Sequence, residues 1–118
     1  MAWKAFEDPQ AQFNEASLVL ICTPTGKDGK VEAYGIKAQT HLIEVEEVLK
    51  GDPITSPVQI TSTPETCTTG STYPNGDPLD TDKRLIIFAD YHGDDWVTIT
   101  PNYGTLSFDQ GTELPFKK

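Results

Sequence analysis

Residues 41–53, HLIEVEEVLKGDP, change hydrophobic rhythm partway along. Ile43 and Val45 alternate with polar neighbours at the two-residue period of a half-buried strand. Glu46 and Glu47 then stand together, and Val48 and Leu49 follow as an adjacent pair. Two consecutive polar residues break the alternation, and a bulge or bend that re-aims the strand explains them. Lys50, Gly51, Asp52 and Pro53 end the segment as a turn. A long, kinked strand over residues 38–49 suits a strongly coiled sheet or small barrel.

The rest of the chain reads as short strands separated by turns. Trp3, Ala5, Phe6, Phe13 and Ala16 recur at intervals near three and four, which predicts a short amphipathic helix within residues 1–16, interrupted around Pro9 and packed across one end of the sheet. Residues 17–23, SLVLICT, are too short and too β-branched for a helix and suit a central strand. Residues 24–29, PTGKDG, are dense in turn formers, and the link runs to about Gly35 as a loop or hairpin excursion, with Val31 and Tyr34 as short-strand residues. Residues 57–63 alternate as a third strand that opens on Pro57, and residues 64–82 read as one long loop. Residues 85–89, LIIFA, are apolar throughout, as in a strand covered on both faces. A turn over 91–95 leads into the alternating strand 96–100, and after a further turn Leu106, Phe108 and Leu114 supply a last short strand and an anchored tail.

Composition supports this reading. A chain of 118 residues is the size of a single domain, here residues 1–118, and its Thr, Pro and Gly favour strands and turns over helices. The expected class is all-β with a short N-terminal helix. The apolar runs at 18–22 and 85–89 are far shorter than the roughly 20 residues that span a bilayer, so no membrane span is expected. The formal net charge is -9, and the basic residues gather only as Lys27 with Lys30, Lys83 with Arg84, and Lys117 with Lys118. Phosphate backbones would be repelled, which sets nucleic acid aside as a partner; calcium or a cationic protein surface is electrostatically easier. Residues 1–15 lack the basic start and apolar core of a secretion signal, which is compatible with a signal removed ahead of Met1.

Several residues could carry chemistry. Cys22 and Cys67 permit one disulfide or two free thiols, the first buried and the second exposed, and their spacing fits no zinc or redox motif. His41 and His92 have no evident carboxylate partner; His41 is expected at a strand margin. Asp77, Asp80 and Asp82, with Glu65 upstream, offer hard oxygen ligands, yet position twelve counted from Asp77 is Phe88 where a calcium loop needs a bidentate Glu. A solvated acidic turn is the better reading, and no metal or cofactor is assigned. Trp96 either covers an apolar surface or stands exposed; exposed together with Tyr91 and Tyr103, it would form a recognition patch.

The segments SLVLICTPTG, IEVEEVLKGD, CTTGSTYPNGD and RLIIFADY, over about residues 16–105, resemble the bacterial relatives of the netrin-like, tissue-inhibitor-of-metalloproteinases superfamily. The resemblance implies a five-stranded OB-like Greek-key barrel in which VEEVLKGD ends the second strand. It also implies an extracytoplasmic protein, with a lipid or membrane anchor outside this chain and conditions in which a disulfide can form. Animal members of the superfamily chelate the protease zinc through an N-terminal cysteine, and this chain has none before Cys22. The expected function is a non-enzymatic binding or protein-interaction module with an unidentified partner. Its contact surface would be the 64–82 loop with the turn around His92, drawing on Tyr73, Asp77, Asp80, Asp82, Tyr91, His92, Trp96 and Tyr103. The alternatives are a protease inhibitor acting through a barrel edge and a small hydrolase using His92 with Asp94 or Asp95.

Overall fold

A computed structural model describes residues 8–33, 36–51, 57–63, 77, 79–92, 95–100, 104–109, 111 and 113–117. Helix α1 (Pro9–Glu15) is followed by β1 (Leu18–Ala33), β2 (Ile36–Lys50), β3 (Val58–Thr61), β4 (Leu85–His92), β5 (Asp95–Thr98) and β6 (Thr105–Ser107). The strands hydrogen-bond in the order β1-β2-β3-β5-β4, and a β1–β4 pairing closes the ring while β6 adds to β4. Within the ring only β3 and β5 run parallel. The result is a closed five-stranded barrel with an extra strand, the OB-like architecture expected from the sequence.

β1 and β4 are apolar on both faces because each separates two cores. Leu18, Leu20 and Cys22 on β1, with Leu85, Ile87 and Ala89 on β4, point into the barrel against Ile43, Ile60 and Leu79. Val19, Ile21, Ile86 and Phe88 point the other way, where Phe13 of α1, Phe108 and Phe116 cover them. Phe116 stacks on Phe13 at 4.6 Å and meets Phe88 edge-on at 5.8 Å, so the C-terminal tail completes the outer layer. Gln10 fastens that tail by bonding both the carbonyl and the N–H of Lys117.

The kink predicted in the second strand is a pair of bulges. Ile21 pairs with Glu47 and Cys22 with Val45, which leaves Glu46 as an extra residue; Val19 pairs with Lys50 and Leu20 with Val48, which leaves Leu49 as another. The first bulge turns Glu46 outward onto Arg84, whose Nε and Nη2 grip both carboxylate oxygens. Arg84 also lies 4.8 Å over the Phe108 ring and donates to the Phe108 carbonyl. Lys50 reaches back to the carbonyls of Phe13 and Asn14 at 2.8 and 3.1 Å, filling acceptors left open at the end of α1. Gly51 has a φ of +102°, and a Cβ there would stand 2.8 Å from the Ser17 carbonyl, so the KG of VEEVLKGD is a packing requirement.

Two expectations need correction. Pro9 begins α1, with Asp8 capping the Ala11 N–H, because proline is pre-set for the first helical turn and lacks only an N–H that would be unpaired there anyway; Trp3, Ala5 and Phe6 lie outside the described residues. Of the two readings of the link from residue 24 to about 35, the hairpin excursion is the one found, a β1–β2 hairpin paired out to Ala33 and Ile36, and the correction is that the turn-rich segment 24–29 is itself strand. Its turn formers are absorbed as irregularities in the ladder between Pro24 and Gly26 and between Lys27 and Lys30. Thr25, extra in the first, donates its hydroxyl to the Leu42 carbonyl, and Gly29 takes a φ of +82° in the second while Gln39 bonds its carbonyl. The expected strand at 57–63 shortens to β3, the one at 96–100 shifts to start at Asp95 and end at Thr98 as β5, and β4 extends through His92.

Candidate functional site

His41 lies on β2 two residues before Ile43 and four before Val45, and the period of the strand therefore turns it toward the barrel interior. It is 1% exposed and not at a strand margin, which corrects the sequence expectation. The polar side chain is accommodated because Asp77, 10% exposed, sets its Oδ2 2.9 Å from His41 Nε2. The other Asp77 oxygen accepts from the Ser62 hydroxyl and, at 3.0 Å, from the Leu79 N–H. Leu79 is itself fully buried in the barrel core. One leucine plugs the barrel and one carboxylate fixes the backbone beside it, so the short segment around residue 79 is pinned across the barrel mouth.

Burial alone would raise the Asp77 carboxyl, but hydrogen bonds from His41, Ser62 and the Leu79 N–H, with the attraction of the His41 ring when it is protonated, hold it below the ordinary range. Asp77 is thus an ionised, fully engaged acceptor and not the solvated acidic group the sequence suggested. The Ser62 hydroxyl is bonded to the carboxylate. An acyl-transfer nucleophile would need its hydroxyl on the imidazole.

Next to this network is a cleft of about 380 Å³ bounded by residues 24–27 of β1, by His41 and by residues 79–82. Lys27 and Asp80 face each other across it at 3.7 Å, both well exposed. Asp82 is exposed on the same rim. Among the described residues, no group of three or more His, Cys, Asp or Glu side chains is placed to hold a metal ion.

The remaining predicted residues lie elsewhere or outside the described set. Tyr91, 62% exposed, stacks on Trp96 with ring centroids 3.6 Å apart. The two are cross-strand partners in the β4–β5 hairpin, and Trp96 packs against the barrel core, so it is half-buried and only Tyr91 stands out. Asp82 precedes β4 and His92 ends it. The six steps from Leu85 to Tyr91 span roughly 20 Å at about 3.3 Å per residue. The described end of the 64–82 loop, at Asp82, and the backbone of His92 therefore stand at opposite ends of β4, while residues 64–76, 78, 93 and 94 lie outside the described residues. Tyr73, Tyr103, Cys67 and Asp94 lie outside the described residues, as do Glu65 and the side chain of His92.

Cys22 is a free, buried thiol rather than half of a disulfide. It sits on the inward face of β1 with its sulfur 3.7 Å from the Leu85 carbonyl. Burial, reinforced by the nearby Glu46 charge, pushes it up to about 12, so thiolate chemistry is suppressed.

Sequence reasoning missed His41, Ser62 and Lys27. A signal for His41 was present, since it shares the alternation of Ile43 and Val45, whereas its pairing with Asp77 spans 36 positions and has no local trace. Compared with known proteins, the chain matches no family model, no curated protein and no solved structure.

Proposed function

We propose that the protein is a non-enzymatic binding module built on a netrin-type OB barrel, acting outside the cytoplasm and docking a partner at the end of the barrel where the β1–β2 hairpin meets the 79–82 segment. The observation that carries this reading is the cleft at that end, lined by the buried His41, which Asp77 orients, and by residues 24–27 and 79–82. OB-type barrels commonly bind through the loops at one end, and rigid elements that present short irregular segments suit recognition. The arrangement of hydroxyl, carboxylate and imidazole supports docking over hydrolysis, because the carboxylate stands between the other two groups.

Site-specific photocrosslinking tests the location. A photoreactive side chain at Thr25 or Thr81 is expected to give one discrete adduct in extracts of the source cells, and the same group at Glu113, exposed on the C-terminal tail, none. Adducts of equal yield at all three positions would remove the assignment. Fractionation of the native gene product is expected to place it outside the cytoplasm.

A further inference from the structure

We propose that the cleft beside His41 receives the basic side chain of a partner polypeptide, an arginine held between the open Nδ1 of His41 and the carboxylates of Asp80 and Asp82. This deepens the binding-module reading and rests on it.

His41 is nearly fully buried, lines the cleft, and uses Nε2 on Asp77; among the described residues nothing bonds its Nδ1. With Nε2–H donated to the ionised carboxylate, Nδ1 is the ring nitrogen left to accept a further hydrogen bond whenever the imidazole is neutral. A buried acceptor without a donor calls for a donor-bearing guest. The charge around it selects the kind of donor. Asp80 and Asp82 on the rim outweigh Lys27, the one cation among the described residues that line the cleft, and the Asp77 charge lies behind the imidazole. Lys27 contacts Asp80 only at 3.7 Å with both side chains well exposed, an ion pair weak enough to exchange for a better one. A guanidinium brings five N–H donors in a planar fork and can serve a ring nitrogen and a carboxylate together.

Two features favour a polypeptide over a free small cation. The cleft opens beside the outer edge of β1, where residues 24–27 have no strand partner among the described residues on the side away from β2. A chain lying along that edge would carry its side chain into the cleft. The net charge of -9 attracts cationic protein surfaces over distance.

The test uses an end-capped pentapeptide with one central arginine, titrated into the full chain uniformly labelled with nitrogen-15. The His41 Nδ1 resonance and the amides of Gly26, Lys27 and Leu79 are expected to shift together, while the same peptide with citrulline in place of arginine leaves them unmoved. Because residues 80 and 82 are exposed, the Asp80→Asn/Asp82→Asn variant folds normally, and it should weaken binding by roughly two- to five-fold per carboxylate. Lys27→Ala should tighten it by a similar factor, by removing the competing cation. Equal binding of the citrulline peptide, weaker binding in Lys27→Ala, or shifts confined to residues outside the cleft would overturn the proposal. Agmatine binding as tightly as the arginine peptide would overturn the polypeptide assignment. If the arginine peptide fails while crosslinks still form at Thr25 and Thr81, this inference falls and the binding-module reading stands; an absence of crosslinks removes the broader reading first.

Discussion

The two halves of β1 lead opposite lives. From Leu18 to Cys22 the strand is paired on both edges, to β2 and β4, and buried on both faces. Beyond Cys22 its only ladder among the described residues is to β2, the irregularities there place extra residues on β1 itself, and residues 25–30 are exposed. The first half holds the frame, because every side chain there has a core to fill and ladders run along both edges. The second half contributes little to the core and is free to present chemistry. Substitutions separate these roles by the size of their effects.

The largest effect belongs to the doubly buried frame. Phe88 is fully buried on β4 and closes the outer core against Phe116. Phe88→Ala should lower stability by about 3–5 kcal/mol, the usual cost of emptying an aromatic site that its neighbours cannot refill. Urea denaturation should show the midpoint falling with an unchanged slope. A loss under about 1 kcal/mol would mean that the outer layer of helix and tail is not part of the cooperative unit.

Gly51→Ala comes next. The added Cβ would meet the Ser17 carbonyl, which is backbone and cannot swing aside, at a φ that side chains disfavour. A cost of about 2 kcal/mol is expected from these two penalties together. Loss of helicity in circular dichroism should accompany it, since Ser17 joins α1 to β1 and Lys50 next door caps α1.

The legibility of the sequence follows the same division. Where both neighbours in space were also encoded by local period, as in 17–23, 38–49 and 85–89, the pattern located the strands, and the paired glutamates located the bulge at Glu46. Where a turn-forming composition is overruled by a partner strand, as in PTGKDG, local propensity pointed to a loop because a ladder to residues 39–43 is invisible from within six residues. The site was harder still. Asp77 and His41 are both visible as chemistry-bearing residues, but their contact depends on Leu79 plugging the barrel, a tertiary event with no periodic signature.

Asp77, which ties His41 and Ser62 to the segment at Leu79, should show an intermediate effect with a pH signature. Asp77→Ala leaves His41, the Ser62 hydroxyl and the Leu79 N–H without this acceptor, at a cost of about 1–3 kcal/mol. Asp77→Asn keeps an oxygen for Leu79 and removes the charge. Because the carboxyl titrates lower in the folded chain than its ordinary value near 3.8, the unfolded chain takes up the proton first as pH falls. The stabilisation is complete above about pH 4 and is lost below it, as pH descends through the folded value. Stability measured from pH 6 down to pH 2 should therefore fall less steeply in Asp77→Asn than in the parent. Parallel curves would show that the Asp77 charge does not stabilise the barrel mouth. The exposed Glu46, lowered by its hydrogen bond to Arg84, contributes in the same direction in both proteins and cancels in the comparison.

The smallest effect on stability is expected in the hairpin, where it is separable from an effect on association. Among the described residues the outer edge of β1 beyond Cys22 has no partner strand, and an open edge invites pairing with another chain. Pro24, the two irregularities and the exposed Lys27 and Lys30 are the devices that discourage it. Lys30→Val should leave the unfolding midpoint of the dilute protein almost unchanged, within about 0.5 kcal/mol, as for most exposed positions. The same change removes a charge and adds a good strand former on the open edge. Sedimentation velocity should then show self-association that rises with concentration, absent in the parent. A variant that stays monomeric would mean that the interrupted ladder alone protects the edge, and Gly29, at its left-handed φ, would become the residue to change next.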